Sequence, residues 1–147
     1  MIIAIILVFK LLAPQVSFMP TVISSPAKAV VLVVEDEAFV RMAAVSFLEG
    51  AGLEVLEAAD ADEAIQLLES RDDISLLFTD IDMPYGSMNG LRLARAVSDR
   101  WPPIAIIIVS GHRAPAAHDL PSGSKFFAKP YDEARVLSTM REMLQAA

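Results

Sequence analysis

The sequence predicts one α/β domain built on a doubly wound parallel sheet. From Val30 onward, short apolar runs alternate with segments in which apolar residues recur at helical spacing. Strands that alternate with helices are connected by right-handed crossovers, so they form a parallel sheet with helices on both faces. The length of 147 residues is that of one domain and leaves little room for a second.

Five strands are predicted, because five apolar runs are rich in the β-branched and aromatic residues that strands prefer. The first and the fourth run contain no alternating polar positions, as expected of strands that are buried on both faces. The five runs are 30–34, 54–58, 76–79, 104–109 and 125–128.

The segments between the first three strands predict two helices. The first can end at Gly50 or Gly52, since glycine commonly ends a helix. The second begins with Asp60 and Glu63, which have the spacing of a capping box. Apolar residues at helical spacing give the first helix one inward face. The predicted inward face consists of Val40, Ala43, Ala44, Phe47 and Leu48.

Two further helices are predicted toward the C-terminus. One begins at Gly90 and is stopped by the pair Pro102 and Pro103, because the residue before a proline disfavours helical dihedral angles. The last begins near Asp132. In the segment 111–124, two prolines and a glycine interrupt the pattern, so we expect only one short, irregular helix there.

Residues 1–28 form a segment separate from the domain predicted at 29–147. Its apolar run, MIIAIILVFKLLA, has about 13 residues, fewer than the roughly 18 that a membrane span requires. No basic stretch precedes this run, which disfavours a signal peptide. We therefore expect synthesis to begin at Met19 and do not expect a membrane as a partner.

Composition excludes several classes of function. A net charge of -7 provides no basic surface for nucleic acid, so we expect no direct binding to DNA or RNA. The chain has no cysteine, which excludes disulfides, thiolate metal sites and cysteine nucleophiles. The absence of disulfides fits a reducing compartment, and we expect a cytoplasmic protein.

Polar residues occur where the apolar runs end. Glu35 and Asp36 follow the first run, Asp80 the third, Ser110 the fourth and Lys129 the fifth. In doubly wound sheets, ligands bind at the carboxyl ends of the strands, which all lie at one edge. These side chains are therefore predicted to converge on one site.

Three carboxylates beside a lysine indicate phosphoryl chemistry with a divalent cation. Carboxylates about 4 Å apart repel each other by roughly 4 kcal/mol at an effective dielectric of 20, so the cluster favours a cation. Mg²⁺ prefers oxygen ligands and is often held by carboxylates together with a phosphate oxygen. Lys129 and Ser110 can then contact phosphate oxygens, and Asp80 can accept a phosphoryl group.

Four motifs together resemble the receiver domain of two-component response regulators. They are VLVVEDE, LLFTDIDMP, IIIVSG and FFAKPY, and the resemblance extends from Val30 to nearly the C-terminus. It implies a flavodoxin-like sheet in the order 2-1-3-4-5. It also implies a phosphoacceptor at Asp80, phosphoryl contacts from Ser110 and Lys129, and Mg²⁺ held by Asp36, Asp80 and the Asp82 backbone carbonyl, with Glu35 acting through water.

The same resemblance implies a stand-alone response regulator rather than an enzyme. Its partners would be a histidine kinase or phosphotransfer protein and an unidentified downstream protein. Ser110 and Phe126 are the predicted switch residues. Asp82 and His112, two positions after Asp80 and Ser110 respectively, are predicted to set how long the phosphoryl group persists.

Three features depart from the usual receiver pattern. Five residues, Tyr85 to Asn89, stand where three usually separate the Met-Pro pair from the glycine of the third helix. Phe126 replaces the common tyrosine at the switch position. The helix between the fourth and fifth strands is degraded.

Two alternatives are considered, the first based on Asp80 and Asp82 and the second on the N-terminal segment. The Asp-x-Asp spacing of Asp80 and Asp82 also resembles haloacid-dehalogenase-type phosphohydrolases, with Asp80 as nucleophile and Asp82 as general acid. Such enzymes need a further acidic motif after the lysine, and the only acidic residues that follow Lys129 closely are Asp132 and Glu133. The second alternative is a membrane-tethered interaction module that is never phosphorylated.

Overall fold

The structure, a computed structural model, describes residues 27–146, in which a five-stranded parallel sheet is covered by four α-helices. The strand order is β2-β1-β3-β4-β5, so the predicted fold class and order are confirmed. The strands are β1 (Val30–Val34), β2 (Glu54–Ala58), β3 (Ile74–Asp80), β4 (Ala105–Ser110) and β5 (Lys125–Ala128). The helices are α1 (Ala38–Gly50), α2 (Ala61–Ser70), α3 (Gly90–Arg100) and α4 (Glu133–Ala146).

Two apolar cores lie on the two faces of the sheet. One packs α2 and α3 against the face that carries Leu32, Leu77 and Ile108. The other packs α1 and α4 against the opposite face, which carries Val33 and Ile107. Because β1, β3 and β4 contribute to both cores, they contain apolar residues in succession.

The helix starts follow local hydrogen bonding. Asp60 caps α2 by accepting a 2.9 Å hydrogen bond from the Glu63 amide, and the Glu63 carboxylate accepts a 2.8 Å bond from the Ala59 amide. Asn89 caps α3 by accepting from the Arg92 amide at 3.0 Å. Side-chain caps of this kind satisfy amide groups that have no partner inside the helix.

Some predicted details were wrong. Ala43 is exposed, and only Ala44 and Leu48 of α1 are buried, because the helix lies on the sheet along a narrower stripe than predicted. The third strand begins at Ile74 and includes Asp80, and the fourth runs to Ser110. The ladder reaches these two polar residues because Asp80 is paired with Val109 of β4 and Ser110 with Ala128 of β5.

The segment between β4 and β5 contains a single 3-10 turn, Ala117–Asp119, as expected from its prolines and glycine. Arg95 of α3 holds this turn, donating from Nε and Nη2 to the Asp119 carbonyl oxygen at 3.2 and 3.0 Å. Side-chain contacts from α3 therefore fix the turn in place.

No helix within residues 27–146 is long and apolar enough to cross a membrane. The predicted start at Met19 and the separate segment 1–28 lie outside the described residues, apart from the last two positions of that segment.

Candidate functional site

Three carboxylates meet at the carboxyl edge of the sheet, where β1 and β3 end. Glu35 and Asp80 are each only 5% exposed, and Asp36 is partly buried beside them. Glu35, Asp36 and Asp80 each place a carboxylate oxygen within 4.8 Å of those of the other two. The predicted convergence of these side chains is therefore present in the structure.

Lys129 enters the same cluster from the end of β5. Its Nζ lies 2.9 Å from Glu35 Oε2, to which it donates a hydrogen bond, and 3.3 Å from Asp80 Oδ1. Its backbone amide donates to the Ser110 carbonyl oxygen at 2.8 Å, which joins the ends of β5 and β4. The Lys129 ammonium thus lies beside two carboxylates, and the Lys129 backbone is held by the end of β4.

Burial and charge change the proton affinities of all three groups. Burial raises the pKa of Asp80, although the charge of Lys129 opposes this. Burial likewise raises the pKa of Glu35, against the hydrogen bond from Lys129. For Lys129, burial lowers the pKa, but the hydrogen bond to Glu35 and the charge of Asp80 outweigh it, so its pKa is raised.

The donor set fits a divalent cation that prefers oxygen ligands. Asp80 Oδ1 is buried and accepts no hydrogen bond, because its contact with Lys129 lacks hydrogen-bond geometry. An unsatisfied buried carboxylate oxygen costs about 1–3 kcal/mol or more. Glu35, Asp36 and Asp80 together present carboxylate oxygens of the kind that Mg²⁺ prefers as ligands.

Gly90 and Thr79 fix the backbone of Asp80. A Cβ atom at position 90 would lie 1.6 Å from the Asp80 carbonyl oxygen, so only glycine fits at the start of α3. Thr79 Oγ1 donates to that same oxygen at 2.9 Å. The sequence pattern indicates Gly90 only as a helix start and gives no sign of the role of Thr79.

Arg41 of α1 supports the acidic pair and was not predicted. Its Nη1 donates to the Glu35 carbonyl oxygen at 2.7 Å, and its Nε donates to Glu57 Oε1 at 3.3 Å. The Glu37 amide donates to Glu35 Oε1 at 3.2 Å. These bonds hold the turn between β1 and α1, and nothing in the local sequence pattern distinguishes Arg41 from a surface arginine.

Ser110, Asp82 and His112 lie together beside the carboxylates. Ser110 is 1% exposed, and its Oγ donates to Asp82 Oδ2 at 3.0 Å while accepting from the His112 amide at 3.1 Å. The His112 ring is largely exposed, with Nε2 3.8 Å from Asp82 Oδ2. The sequence indicated these residues individually but did not predict the hydrogen bond between Ser110 and Asp82.

Phe126 lies on the same face of the sheet as Ser110. In the β4–β5 register Phe126 is opposite Ile108, and Ser110 follows two positions later on the same side of its strand. The ring is partly buried against the core beneath α2 and α3. The two predicted switch residues, Ser110 and Phe126, therefore share one face of the sheet.

The extended loop after β3 is fastened to α2. The Ser87 amide donates to Asp62 Oδ2 at 3.0 Å, and its hydroxyl donates to Asp62 Oδ1 at 2.5 Å. Gly86 has φ +101°, which favours glycine, and a Cβ there would lie 3.2 Å from Asp60 Cβ. Tyr85 remains 77% exposed on the outside of the loop.

Comparisons with known proteins agree on one family. The profile of the response regulator receiver domain matches residues 31–141. A response regulator receiver protein from Pseudomonas putida has a TM-score of 0.72 at 30% identity, covering 80% of this chain and 99% of that one. The chain therefore belongs to the response regulator receiver family of two-component signalling.

Two relatives from Brucella abortus differ in length. The response regulator receiver protein CpdR is 32% identical over 120 residues, which cover 80% of this chain and 98% of CpdR. The sensor kinase CckA is 37% identical over 121 residues, which cover 80% of this chain but only 13% of CckA. The chain thus spans nearly all of one relative and a small part of the other.

Proposed function

We propose that this chain is a stand-alone response regulator receiver that accepts a phosphoryl group on Asp80. The observation that carries the proposal is the buried Asp80 oxygen without a hydrogen-bond partner, set among Glu35, Asp36 and Lys129. An ionised carboxylate with a free oxygen is a nucleophile. CpdR, a response regulator receiver protein of which the match covers 98%, is the relative on which the stand-alone part of the proposal is based.

In the proposed reaction, an Asp80 carboxylate oxygen forms a bond to phosphorus while the bond from phosphorus to the donor breaks. The leaving group keeps the electron pair of that bond and takes up a proton from solvent. Lys129 stabilises the charge on the phosphoryl oxygens from one side, and the Ser110 hydroxyl can donate to another. The side chains position the group, and no further covalent step is required.

The metal proposed for this site is Mg²⁺, with Glu35, Asp36 and Asp80 as side-chain ligands, Glu35 through water, and the Asp82 backbone carbonyl as a fourth. When bound, it would supply positive charge between the carboxylate nucleophile and the phosphoryl oxygens. Glu35 also pairs with Lys129 Nζ at 2.9 Å. Its side chain can therefore balance both cations of the site.

The proposed output depends on Ser110 and Phe126. Phosphorylation would draw the Ser110 hydroxyl toward the phosphoryl group, and the Phe126 ring would fill the space behind it. Such a shift can be no larger than the phosphoryl group's preference for the active form. Phe126 lacks a hydroxyl, so packing rather than a hydrogen bond would transmit the change.

The proposed partners are a histidine kinase or phosphotransfer protein that supplies the phosphoryl group and a downstream protein that reads the result. We propose a cytoplasmic location, a domain that begins at about residue 29, and no direct contact with nucleic acid. The net charge of -7 supports the last point. The protein would have no enzymatic turnover beyond slow loss of its own phosphoryl group.

The test is incubation with acetyl phosphate and Mg²⁺. We expect one acid-stable, base-labile phosphoryl group per chain, and its formation should stop when the cation is chelated. Rapid turnover of phosphomonoesters would instead favour the phosphohydrolase alternative. Absence of any acyl phosphate under these conditions would contradict the proposal.

A further inference from the structure

The Ser110 hydroxyl already uses its one donor hydrogen in this structure. A serine hydroxyl has one hydrogen to donate. Ser110 donates it to Asp82 Oδ2 at 3.0 Å, and its oxygen also accepts from the His112 amide at 3.1 Å. Since Ser110 is 1% exposed, water does not offer it a ready alternative partner. The hydroxyl cannot donate to a second acceptor without leaving Asp82.

Asp82 is a favourable acceptor for the hydrogen bond from Ser110. Its side chain is about half exposed, at 47%, so the carboxylate remains solvated while one oxygen reaches the buried hydroxyl. A hydrogen bond to a charged acceptor contributes more than one between neutral groups. The bond joins the end of β4 to the loop after β3, two residues beyond Asp80. It therefore links the switch residue to the acceptor's own loop.

We propose that the Asp82 carboxylate competes with the phosphoryl group for the hydrogen bond that the Ser110 hydroxyl donates. The Ser110–Asp82 hydrogen bond stabilises the unphosphorylated form until a phosphoryl group on Asp80 takes the place of Asp82. This inference rests on the proposed function, because it takes Asp80 as the phosphoacceptor. Displacement breaks the Ser110–Asp82 hydrogen bond and forms one from Ser110 to a phosphoryl oxygen. The Asp82 carboxylate is released to solvent, where water replaces the lost donor.

The competition sets a threshold for activation. The affinity of the site for a phosphoryl group is reduced by the fraction of molecules in which Ser110 is held by Asp82. Removing the competitor should raise that affinity and favour the active form without any new contact. Removing the Ser110 hydroxyl should abolish this gain in affinity, because neither Asp82 nor the phosphoryl group can then accept a hydrogen bond from residue 110.

A double-mutant cycle with beryllofluoride, a phosphoryl analogue, tests the competition. The dissociation constant is measured with Mg²⁺ present for the wild type, Asp82→Ala, Ser110→Ala and the double variant, using amide NMR signals. Asp82→Ala also removes a negative charge that repels the analogue, and that effect is shared by both backgrounds. We expect Asp82→Ala to tighten binding roughly tenfold more with Ser110 present than with Ala at position 110. Equal gains in both backgrounds would overturn the proposal.

The same four proteins test the hydrogen bond without any phosphoryl group. In thermal unfolding of the free proteins, the two single substitutions should lower the midpoint by more in sum than the double substitution does. Strict additivity would show that the two side chains are not coupled and would overturn the proposal. If the wild type fails to bind beryllofluoride although the unfolding data show coupling, the proposed phosphoacceptor function fails while the hydrogen bond itself stands, and the inferred competition is overturned with it.

Discussion

The ammonium of Lys129 donates its hydrogen bond to Glu35, at 2.9 Å, and only contacts Asp80, at 3.3 Å. Lys129 therefore neutralises part of the charge on Asp80 without occupying the lone pairs of the buried Oδ1 atom. The arrangement leaves the lone pairs of Oδ1 without a hydrogen-bond donor at the expense of stability, since a buried acceptor without a partner is unfavourable. Natural proteins tolerate such local strain at functional sites.

Asp80→Asn should stabilise the free protein at pH 7. Burial raises the pKa of Asp80 above its ordinary value of 3.8, so the charged form is less favourable in the folded chain than in the unfolded one. The wild type therefore loses stability as pH rises from 3.8 through the raised pKa. At neutral pH we expect the free energy of unfolding to rise by about 1 kcal/mol and the unfolding midpoint by roughly 4 °C. Both gains should disappear toward pH 3.

Asp73→Asn is the control, because the pKa of Asp73 is shifted in the opposite direction to that of Asp80. A hydrogen bond from Arg71 lowers the pKa of Asp73, so its contribution to stability is present above 3.8 and lost as pH falls below it. This variant should be no more stable than the wild type at pH 7. If Asp80→Asn is instead less stable than the wild type at neutral pH, the buried Asp80 carboxylate does not destabilise the folded protein.

Asp36→Asn should weaken the metal site alone. Asp36 contributes one oxygen to the cluster with Glu35 and Asp80, and an amide oxygen binds a divalent cation less strongly than a carboxylate does. Phosphorylation by acetyl phosphate should need about tenfold more Mg²⁺ and be partly rescued by an excess. The control is Glu37→Gln, an exposed neighbour whose side chain forms no cap. Identical Mg²⁺ requirements in both variants would remove Asp36 from the ligand set.

Gly90→Ala should damage both stability and phosphorylation. The added Cβ would meet the Asp80 carbonyl oxygen at 1.6 Å, so α3 or the end of β3 must move. We expect the free energy of unfolding to fall by about 3 kcal/mol, as it does when extra atoms are forced into other buried sites. Gly50→Ala is the matched control, because a Cβ there meets nothing within 4 Å and alanine favours a helix. Calorimetry that finds equal midpoints for the two variants would refute the close approach.

Asp82→Ala and His112→Ala should change the lifetime of the phosphorylated form. Asp82 borders the site, and its carboxylate can accept a proton from an attacking water, so its removal should slow decay by roughly threefold or more. The His112 ring reaches within 3.8 Å of Asp82 at the mouth of the site. His118→Ala, in the 3-10 turn Ala117–Asp119, is the control. Decay constants measured after removal of the phosphodonor that match the wild type in both variants would exclude these residues.

The fold and the composition of the site were predictable from the sequence for one physical reason. Parallel strands end at a common edge, so residues at the ends of separate apolar runs must approach one another. Glu35, Asp36, Asp80 and Lys129 meet as predicted without any knowledge of side-chain geometry. The irregular segment before β5 was predictable because proline and glycine act locally.

The supporting contacts were not predictable, because they depend on distances across elements. Arg41 reaches back to Glu35 only because α1 lies against the end of β2, and its sequence neighbours give no sign of this. The need for glycine at position 90 comes from the position of β3. Ala43 fits the helical period yet is exposed, since periodicity shows which residues share a face but not how wide the buried stripe is.

The proposed function requires that Asp80 itself carries the phosphoryl group. After reaction with acetyl phosphate and Mg²⁺, reduction with borohydride converts an aspartyl phosphate to homoserine, and peptide mass spectrometry locates the altered residue. We predict homoserine at position 80 in the wild type and at no position in Asp80→Asn. Homoserine at position 36 or 82, or continued phosphorylation of the Asp80→Asn protein, would show that Asp80 is not the phosphoacceptor.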